Sequence, residues 1–418
     1  MNRRVLAAGI STGRIAAHLH TTSSGDPRDN REASHIHTTT VPPWATQAST
    51  RGARLFATVL RAIQGLQLWA SRLTPPPFRL VQIGSAYWQS RSLGVATELD
   101  VASQLGDDTL AIGVLAQRCN VVPDGLQRVL RLLAALGVFE EAQPGHWRNN
   151  RGSAPLRADR PGSVRDLVLL HQRPEMRAPW NDTLASALRL GRPAFEVLHG
   201  QPLFEHMATN PALEEAFAKA MAQVEGLTGT PWVDAIDWRA FHRLLDVGGS
   251  AGDKALTLLA RHSHLHALVI DRPATVAAAR FLRASETDPQ RSAARARLSF
   301  HAADVRQDTL PPASSAKDVF LLSALLHGMS DADALQVLQR VARAAAPVGA
   351  TVLIMEAVRN EEIADLAVSG MDLRMAVCTE GRERSLHEWQ GLFAQARLQL
   401  RERVPLPMLA EIMVLTPL

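Results

Sequence analysis

The chain has 418 residues, 46% apolar and 21% charged, enough to bury a large core and to form two or three domains. No apolar run approaches the roughly 20 residues of a membrane-spanning helix. The two cysteines, Cys119 and Cys378, give no disulfide framework, so a reducing, cytoplasmic setting is expected. The net charge of +4 is uneven: residues 1–75 hold nine arginines against Asp26, Asp29 and Glu32, which leaves a mildly acidic body and no basic face for nucleic acid.

Residues 1–50 are rich in Thr, Ser, His and Arg, lack periodicity and read as a disordered extension. Their histidines, His18, His20, His35 and His37, lie in too polar a segment to be held around a metal, and no metal site is expected elsewhere. A helix is expected from about Arg51 to Leu73, ended by Pro75–Pro77, which closes a basic first unit at residue 75. Residues 81–96 have the spacing of an amphipathic helix. Asp108 reads as the N-cap of a short helix to Gln117, and residues 125–136 as a strong helix ending at Gly137. Val138–Glu141 and Trp147–Asn150 then give the two strands of a wing. Helix, turn, helix, wing can read DNA, but Gln127, Arg128 and Arg131 stand among leucines, which favours a module that packs on a partner subunit. Residues 166–238 read as further helices, with Trp180, Phe195 and Phe217 as buried anchors.

The last part, residues 239–418, alternates strands and helices. Leu244–Val247 is a buried strand, Gly248-Gly-Ser-Ala-Gly252 a turn of small residues, and Lys254–Ala260 a helix, a layout that brings backbone N–H groups to a nucleotide-like ligand. A second strand, Leu265–Ile270, ends in Asp271, 19 residues beyond Gly252, where such folds grip ribose hydroxyls. Further strands are expected at 297–304, 318–326 and 351–355, with closing antiparallel strands within 408–418. Alternating strands and helices call for an α/β fold with a parallel sheet covered on both faces. Asp246, Gly248, Gly249, Gly252, Asp271, Asp304, His327 and Glu356 then gather at the carboxyl ends of the strands. Asp304 suits an exocyclic amine of adenine. The compact glycine turn differs from the dinucleotide pattern G-x-G-x-x-G and argues for S-adenosylmethionine (SAM) over NAD.

Several ordered motifs carry a resemblance over residues 78–418: Asp246-Val-Gly-Gly-Ser-Ala-Gly252, Asp271-Arg-Pro273, Asp304, Leu325-Leu-His-Gly-Met-Ser-Asp331, Met371-Asp-Leu-Arg-Met375 and Arg382-Glu-Arg-Ser385. Together they resemble the SAM-dependent O-methyltransferases of the caffeate and flavonoid type and their bacterial relatives acting on polyketides and phenazines. The resemblance implies a Rossmann-like SAM-binding domain at 239–418, preceded by a mostly helical winged-helix-like dimerisation domain at 76–165 and a helical linker at 166–238 that contributes to the substrate pocket. It also implies a homodimer acting on a small hydroxylated acceptor, with His327 as general base and Glu356 and Glu383 as its acidic partners. Val305 and Ser323 join the cofactor set on the same ground.

Three departures stand out. His327-Gly-Met329 replaces the family's common His-Asp-Trp, Ser323 stands where a lysine is frequent, and Ser250 replaces a glycine. A serine is expected to fit there with ordinary backbone angles. Some members of the family use the bound cofactor for hydroxylation, decarboxylation or cyclisation, which is the second expectation. A winged-helix transcription regulator is the third.

Overall fold

The computed structural model describes residues 73–284, 288–406 and 410–418, so the histidines of the extension and nearly all of the helix expected at 51–73 lie outside the described residues. A helix runs from Pro76 to Glu98, opened by prolines whose fixed φ suits a first turn. It leaves Phe78, Leu80, Val81, Ile83, Tyr87 and Trp88 between 53% and 70% exposed, an unusual run of apolar side chains facing outward.

A small three-stranded sheet follows, of β1 (Leu110–Ala111), β2 (Glu140–Gln143) and β3 (His146–Arg148) in the order β1-β3-β2. It packs with the helices Val101–Leu105, Ile112–Arg118 and Pro123–Ala135 around Leu105, Leu115, Leu130, Leu133, Phe139 and Trp147. Leu126, Leu130 and Leu133 recur at helical spacing, which is why residues 123–135 bury one face. Asp108 does not cap the helix that follows it. Leu110 and Ala111 pair with Trp147 and His146, Ile112 donates its N–H to Gly145 O at 2.8 Å, and the helix begins only at Ile112. A non-local pairing has overridden a local capping signal.

Between residues 165 and 234 lie seven short to medium helices, whose core includes Leu170, Met176, Phe195, Met207 and Leu213. Of the three expected anchors only Phe195 is fully buried; Trp180 and Phe217 remain half-buried. Val377 and Cys378, from the helix Leu366–Cys378 of the last domain, complete this core.

The main sheet has seven strands: β4 (Arg243–Val247), β5 (His266–Asp271), β6 (Leu298–Ala302), β7 (Asp318–Ser323), β8 (Thr351–Ala357), β9 (Leu398–Pro405) and β10 (Ala410–Pro417). Their order is β6-β5-β4-β7-β8-β10-β9, parallel from β4 to β8, with β10 antiparallel to both β8 and β9. This is the expected doubly wound α/β fold. The helices Asp331–Ala345 and Leu386–Gln395 cover one face through Val337, Leu338, Val341, Trp389 and Phe393. Asp253–Arg261, with Trp232 and Trp238, covers the other, and each fully buried leucine there contributes roughly 1.5–3 kcal/mol of transfer free energy. Strand β9 was not anticipated, because its alternation of exposed and buried residues with two arginines reads locally as surface. The chain reverses between β4 and β7, which opens the crevice where ligands bind in such sheets.

Candidate active site

At the end of β4, Gly248 has φ +73° and its Cα lies so close to Leu325, after β7, that a Cβ would sit 2.7 Å from Leu325 Cδ1. The two sides of the crevice therefore meet only because this residue lacks a side chain. Gly249 lies directly over Asp246, and Gly252 opens the helix Asp253–Arg261 against Val269. Ser250 has φ +52°, contrary to the expectation of ordinary angles. Its N–H donates to Asp271 Oδ2 at 2.9 Å, and Arg272 N–H to Asp271 Oδ1 at 2.7 Å, so the carboxylate at the tip of β5 holds the loop in a left-handed conformation that costs roughly 1–2 kcal/mol in a non-glycine residue. Asp246 is fully buried, and burial pushes its carboxyl up to about 7 against the pull of the Lys254 ammonium. Asp246 Oδ2 and Ser323 Oγ are buried polar atoms without a hydrogen-bond partner among the described residues.

On the β6 side, Asp304 turns its carboxylate onto its own loop, accepting from Arg306 N–H at 3.0 Å and from the Arg306 guanidinium at 3.3 Å. Burial would raise its pKa, but these donors outweigh it and hold the group below the usual carboxylate range. Val305 is buried and its side chain belongs to the core with Ala303 and Leu310. The residues present fit a ligand such as SAM: a glycine cradle that any Cβ would fill, a strand-tip carboxylate, and two buried polar atoms with unmet bonding capacity.

β7 stops at Ser323, three residues short of expectation, because Ala324 adopts φ +47° and the chain turns through Leu326–Gly328. That turn carries His327, and it is held from several directions. Glu356 Oε1, at the end of β8, accepts the N–H groups of Leu325 and Leu326 at 2.9 and 2.8 Å and that of His327 at 3.4 Å. Arg384, fully buried, donates to Leu326 O at 2.7 Å, to Met329 O at 2.8 Å and to Asp331 Oδ1 at 2.8 Å, with its guanidinium over Trp389. Arg382 N–H donates to His327 O at 2.8 Å, and Gly381 lies so near that a Cβ would be 2.0 Å from that same oxygen. The turn is thus fixed without an aspartate after the histidine, and a side chain at Gly328 would meet open space.

His327 Nδ1 lies 2.9 Å from Glu383 Oε1 and 3.9 Å from Glu356 Oε2. Both carboxylates are buried, whereas the imidazole is 20% exposed. Desolvation pulls the imidazole pKa down, but the two glutamates outweigh it and hold it above its ordinary value. Burial likewise lifts the Glu356 carboxyl, against the pull of His327. Glu383 is anchored in turn by its own N–H, which donates to Asp372 Oδ1 at 2.8 Å. The segment Arg382–Ser385 therefore has a task for each residue. Arg382 pairs with Glu388, Glu383 meets the histidine, Arg384 braces the turn, and Ser385 forms a capping box with Glu388. Arg384 and Gly381 were not singled out from sequence; the lone mark of Arg384 is its place within the quoted motif.

A cleft of about 330 Å³ is lined by residues of the helix Pro76–Glu98, the segment 171–181 and the helix Leu366–Cys378, and none of the residues of the His327 turn lines it. Met176 and Trp180 face it. Among nearby methionines, Met355 is core, Met329 packs against the core, and Met371 and Met375 are half-buried. Among the described residues no cluster of ligating side chains suits a metal ion.

The O-methyltransferase domain family matches residues 180–399, and the O-methyltransferase dimerisation domain matches residues 81–156. The 2,7-dihydroxy-5-methyl-1-naphthoate 7-O-methyltransferase of Streptomyces carzinostaticus is 32% identical over 314 residues, 75% of this chain and 90% of that one. Aclacinomycin 10-hydroxylase RdmB of Streptomyces purpurascens is 31% identical over 327 residues, 74% of this chain and 81% of that one. The crystal structure of NcsB1, an O-methyltransferase from neocarzinostatin biosynthesis, in complex with SAM and 2-hydroxy-5-methyl naphthoic acid, superposes with a TM-score of 0.65 at 29% identity, over 79% of this chain and 96% of that one. The chain belongs to the O-methyltransferase family, and SAM is its cofactor.

Replacing Gly381 by Ala is expected to displace the His327 turn without touching the cradle. Methyl transfer should fall by about tenfold or more while SAM affinity, read by calorimetry, stays near wild type. Arg384→Leu strands two buried carbonyls and should cost about 2–4 kcal/mol in chemical unfolding, and Arg384→Lys should not restore it, since a lysine lacks the fork that reaches both oxygens.

Proposed function

We propose that the protein methylates a hydroxyl group of a small aromatic metabolite, with His327 as general base oriented by Glu383 and Glu356. The observation that carries this reading is the His327–Glu383 contact at 2.9 Å, which assigns Nδ1–H to the carboxylate and leaves Nε2 to accept a proton. Nε2 has no hydrogen-bond partner among the described residues, and the side chain is 20% exposed. When bound, SAM supplies an electrophilic methyl group on a sulfonium centre. His327 takes the acceptor's hydroxyl proton, freeing the oxygen for the methyl group that a bound SAM would give up as it leaves as S-adenosylhomocysteine, and the buried glutamates stabilise the imidazolium that results. Asp271 and the glycine turn hold the ribose and methionine parts, with Ser323 and Asp304 as further polar groups at the strand ends. Aromatic acceptors are proposed because the naphthoate 7-O-methyltransferase is 32% identical over most of its length.

A second reading, altered chemistry with the cofactor retained, draws support from the 31% identity to aclacinomycin 10-hydroxylase and from Gly328-Met329 after the histidine. Against DNA recognition stands the charge pattern of the winged module, where Arg128 pairs with Asp124, Arg148 with Glu140, and Arg131 approaches Glu141. We also propose a homodimer whose interface covers the exposed apolar side of the helix Pro76–Glu98, continuous with the matched dimerisation domain.

Labelled SAM and a panel of hydroxylated aromatics test the first reading: His327→Ala should abolish label transfer and leave SAM binding intact. Because the glutamates raise the imidazole pKa, the acid limb of the kcat/KM profile should lie above 6.5, and activity should rise with pH through it. Glu383→Gln removes a negative charge that favours the imidazolium, so the limb should move to lower pH; an unmoved limb would count against His327 as the base. Val81→Glu together with Ile83→Glu should yield a monomer in light scattering, and a dimer that persisted would refute the proposed interface.

A further inference from the structure

Two contacts tie the helical layer to the sheet domain on either side of the glycine turn, and both use a cation from the sheet domain. On one side Lys254, in the first turn of the helix Asp253–Arg261, pairs with Glu225 of the helix Pro211–Thr228 and lies 6.0 Å from the centre of the Trp232 ring. The Lys254 side chain is only 11% exposed, so this pair is largely shielded from water. On the other side Arg272, at the tip of β5, sets its guanidinium 5.3 Å from the centre of the Phe204 ring. Phe204 stands on the short helix Leu203–Ala208, whose Leu203 and Met207 are embedded in the core of the layer, and its ring meets Phe217 edge-on at 6.2 Å. The helix Pro211–Thr228 thus backs both contacts, through Glu225 and Phe217.

The two contacts differ in kind. The Arg272 guanidinium makes no hydrogen bond and no ion pair among the described residues, and Phe204 is 40% exposed. A cation over a ring at an exposed site is weaker and less directional than a shielded, hydrogen-bonded ion pair, so this is the contact that opens first. Its place is set by the wall of the cofactor crevice. Arg272 N–H donates to one oxygen of Asp271, the other oxygen holds the Ser250 N–H, and Ala303 N–H donates to Asp271 O at 2.8 Å, which brings the Asp304 loop alongside. We propose that the Arg272–Phe204 contact is a latch over the cofactor crevice, and that its opening, with Lys254–Glu225 as the fixed side, admits SAM and releases S-adenosylhomocysteine. The inference rests on Asp271 as the carboxylate that holds the ribose. In this role Arg272 and Phe204 grip each other and not the cofactor. The latch therefore sets how fast the cofactor exchanges and leaves its affinity unchanged, since a contact made equally in the free and the loaded protein cancels from the equilibrium.

Stopped-flow fluorescence of the full chain with S-adenosylhomocysteine tests the latch. Arg272→Met keeps most of the side-chain length without the cation, and Phe204→Leu keeps an apolar anchor without the ring. Each should raise the association and dissociation rate constants together by about two- to fivefold, the strength of one exposed cation–ring contact, with Kd within about twofold of wild type. The double variant Arg272→Met/Phe204→Leu should exchange no faster than the quicker single variant, because the same contact is lost in all three. Arg272→Lys and Phe204→Tyr keep cation and ring and should stay near wild type. A residue that only packs would shift Kd or stability and would not move both rate constants in step. Unchanged exchange in both single variants, a dissociation rate that rises alone with a weaker Kd, or additive effects in the double variant overturns the latch. Asp271→Ala separates the latch from the reading beneath it, and should weaken S-adenosylhomocysteine binding by about tenfold or more. Wild-type affinity in that variant overturns the ribose reading and the placement of the latch with it. Weakened affinity there, beside unchanged exchange in the latch variants, overturns the latch alone.

Discussion

A buried anion and a buried cation grip the same short turn from opposite sides. Glu356 collects the N–H groups of Leu325, Leu326 and, at longer range, His327, while Arg384 collects the carbonyls of Leu326 and Met329. Nearly every polar backbone group that the end of β7 leaves without a strand partner is thereby satisfied by a charged side chain. Burying either ion alone is costly. Each is offset by backbone dipoles that must be in place, so the conformation of the turn and the burial of the ions stand or fall together. The imidazole position and its distance to Glu383 follow from that mutual dependence.

The cradle on the other side of the crevice works by a related rule with less charge. Asp271 fixes Ser250 through a backbone N–H, and Gly248 allows Leu325 to approach. Both strand ends carry a non-glycine residue in the left-handed region, Ser250 after β4 and Ala324 after β7. Such conformations persist where surrounding contacts over-determine them, and they concentrate at ligand sites. Here the over-determining contacts are the Asp271 carboxylate for one and, for the other, the Ala324 N–H bonded to Met355 O at 3.0 Å.

Much of this was legible in the chain. Strands β4, β5, β7 and β8 are apolar runs ended by small or acidic residues, and such runs declare both their buried position and their carboxyl ends. The positions Asp246, Asp271, His327 and Glu356 could be placed at strand ends or in loops for the same reason, whereas Glu383 rested on the family resemblance alone. What could not be read were features set by distant partners. Strand β1 exists because Trp147 and His146 offer it an edge, and β9 because β10 does. Val305 turns into the core through the same kind of distant contact, whereas the Asp304 bond to Arg306, two positions on, is a local turn that the strand-end reading passed over. Ser250 was expected in an ordinary conformation because the carboxylate that holds it otherwise lies 21 positions away. Arg384 reads as one more surface arginine until the fold encloses it.

The helix Leu366–Cys378 belongs by sequence to the sheet domain, yet its Val377 and Cys378 are embedded in the core of the preceding helical layer with Leu170 and Met176. One turn earlier it presents Arg374 to the cleft, and just beyond it come Gly381, Glu383 and Arg384, which bear on His327. Asp372 ties the two stretches together through the Glu383 N–H. The helix therefore ties the core of the helical layer to the segment that positions His327. A substitution that shifts this helix is thus expected to disturb the packing of the helical layer and the Glu383–His327 contact together.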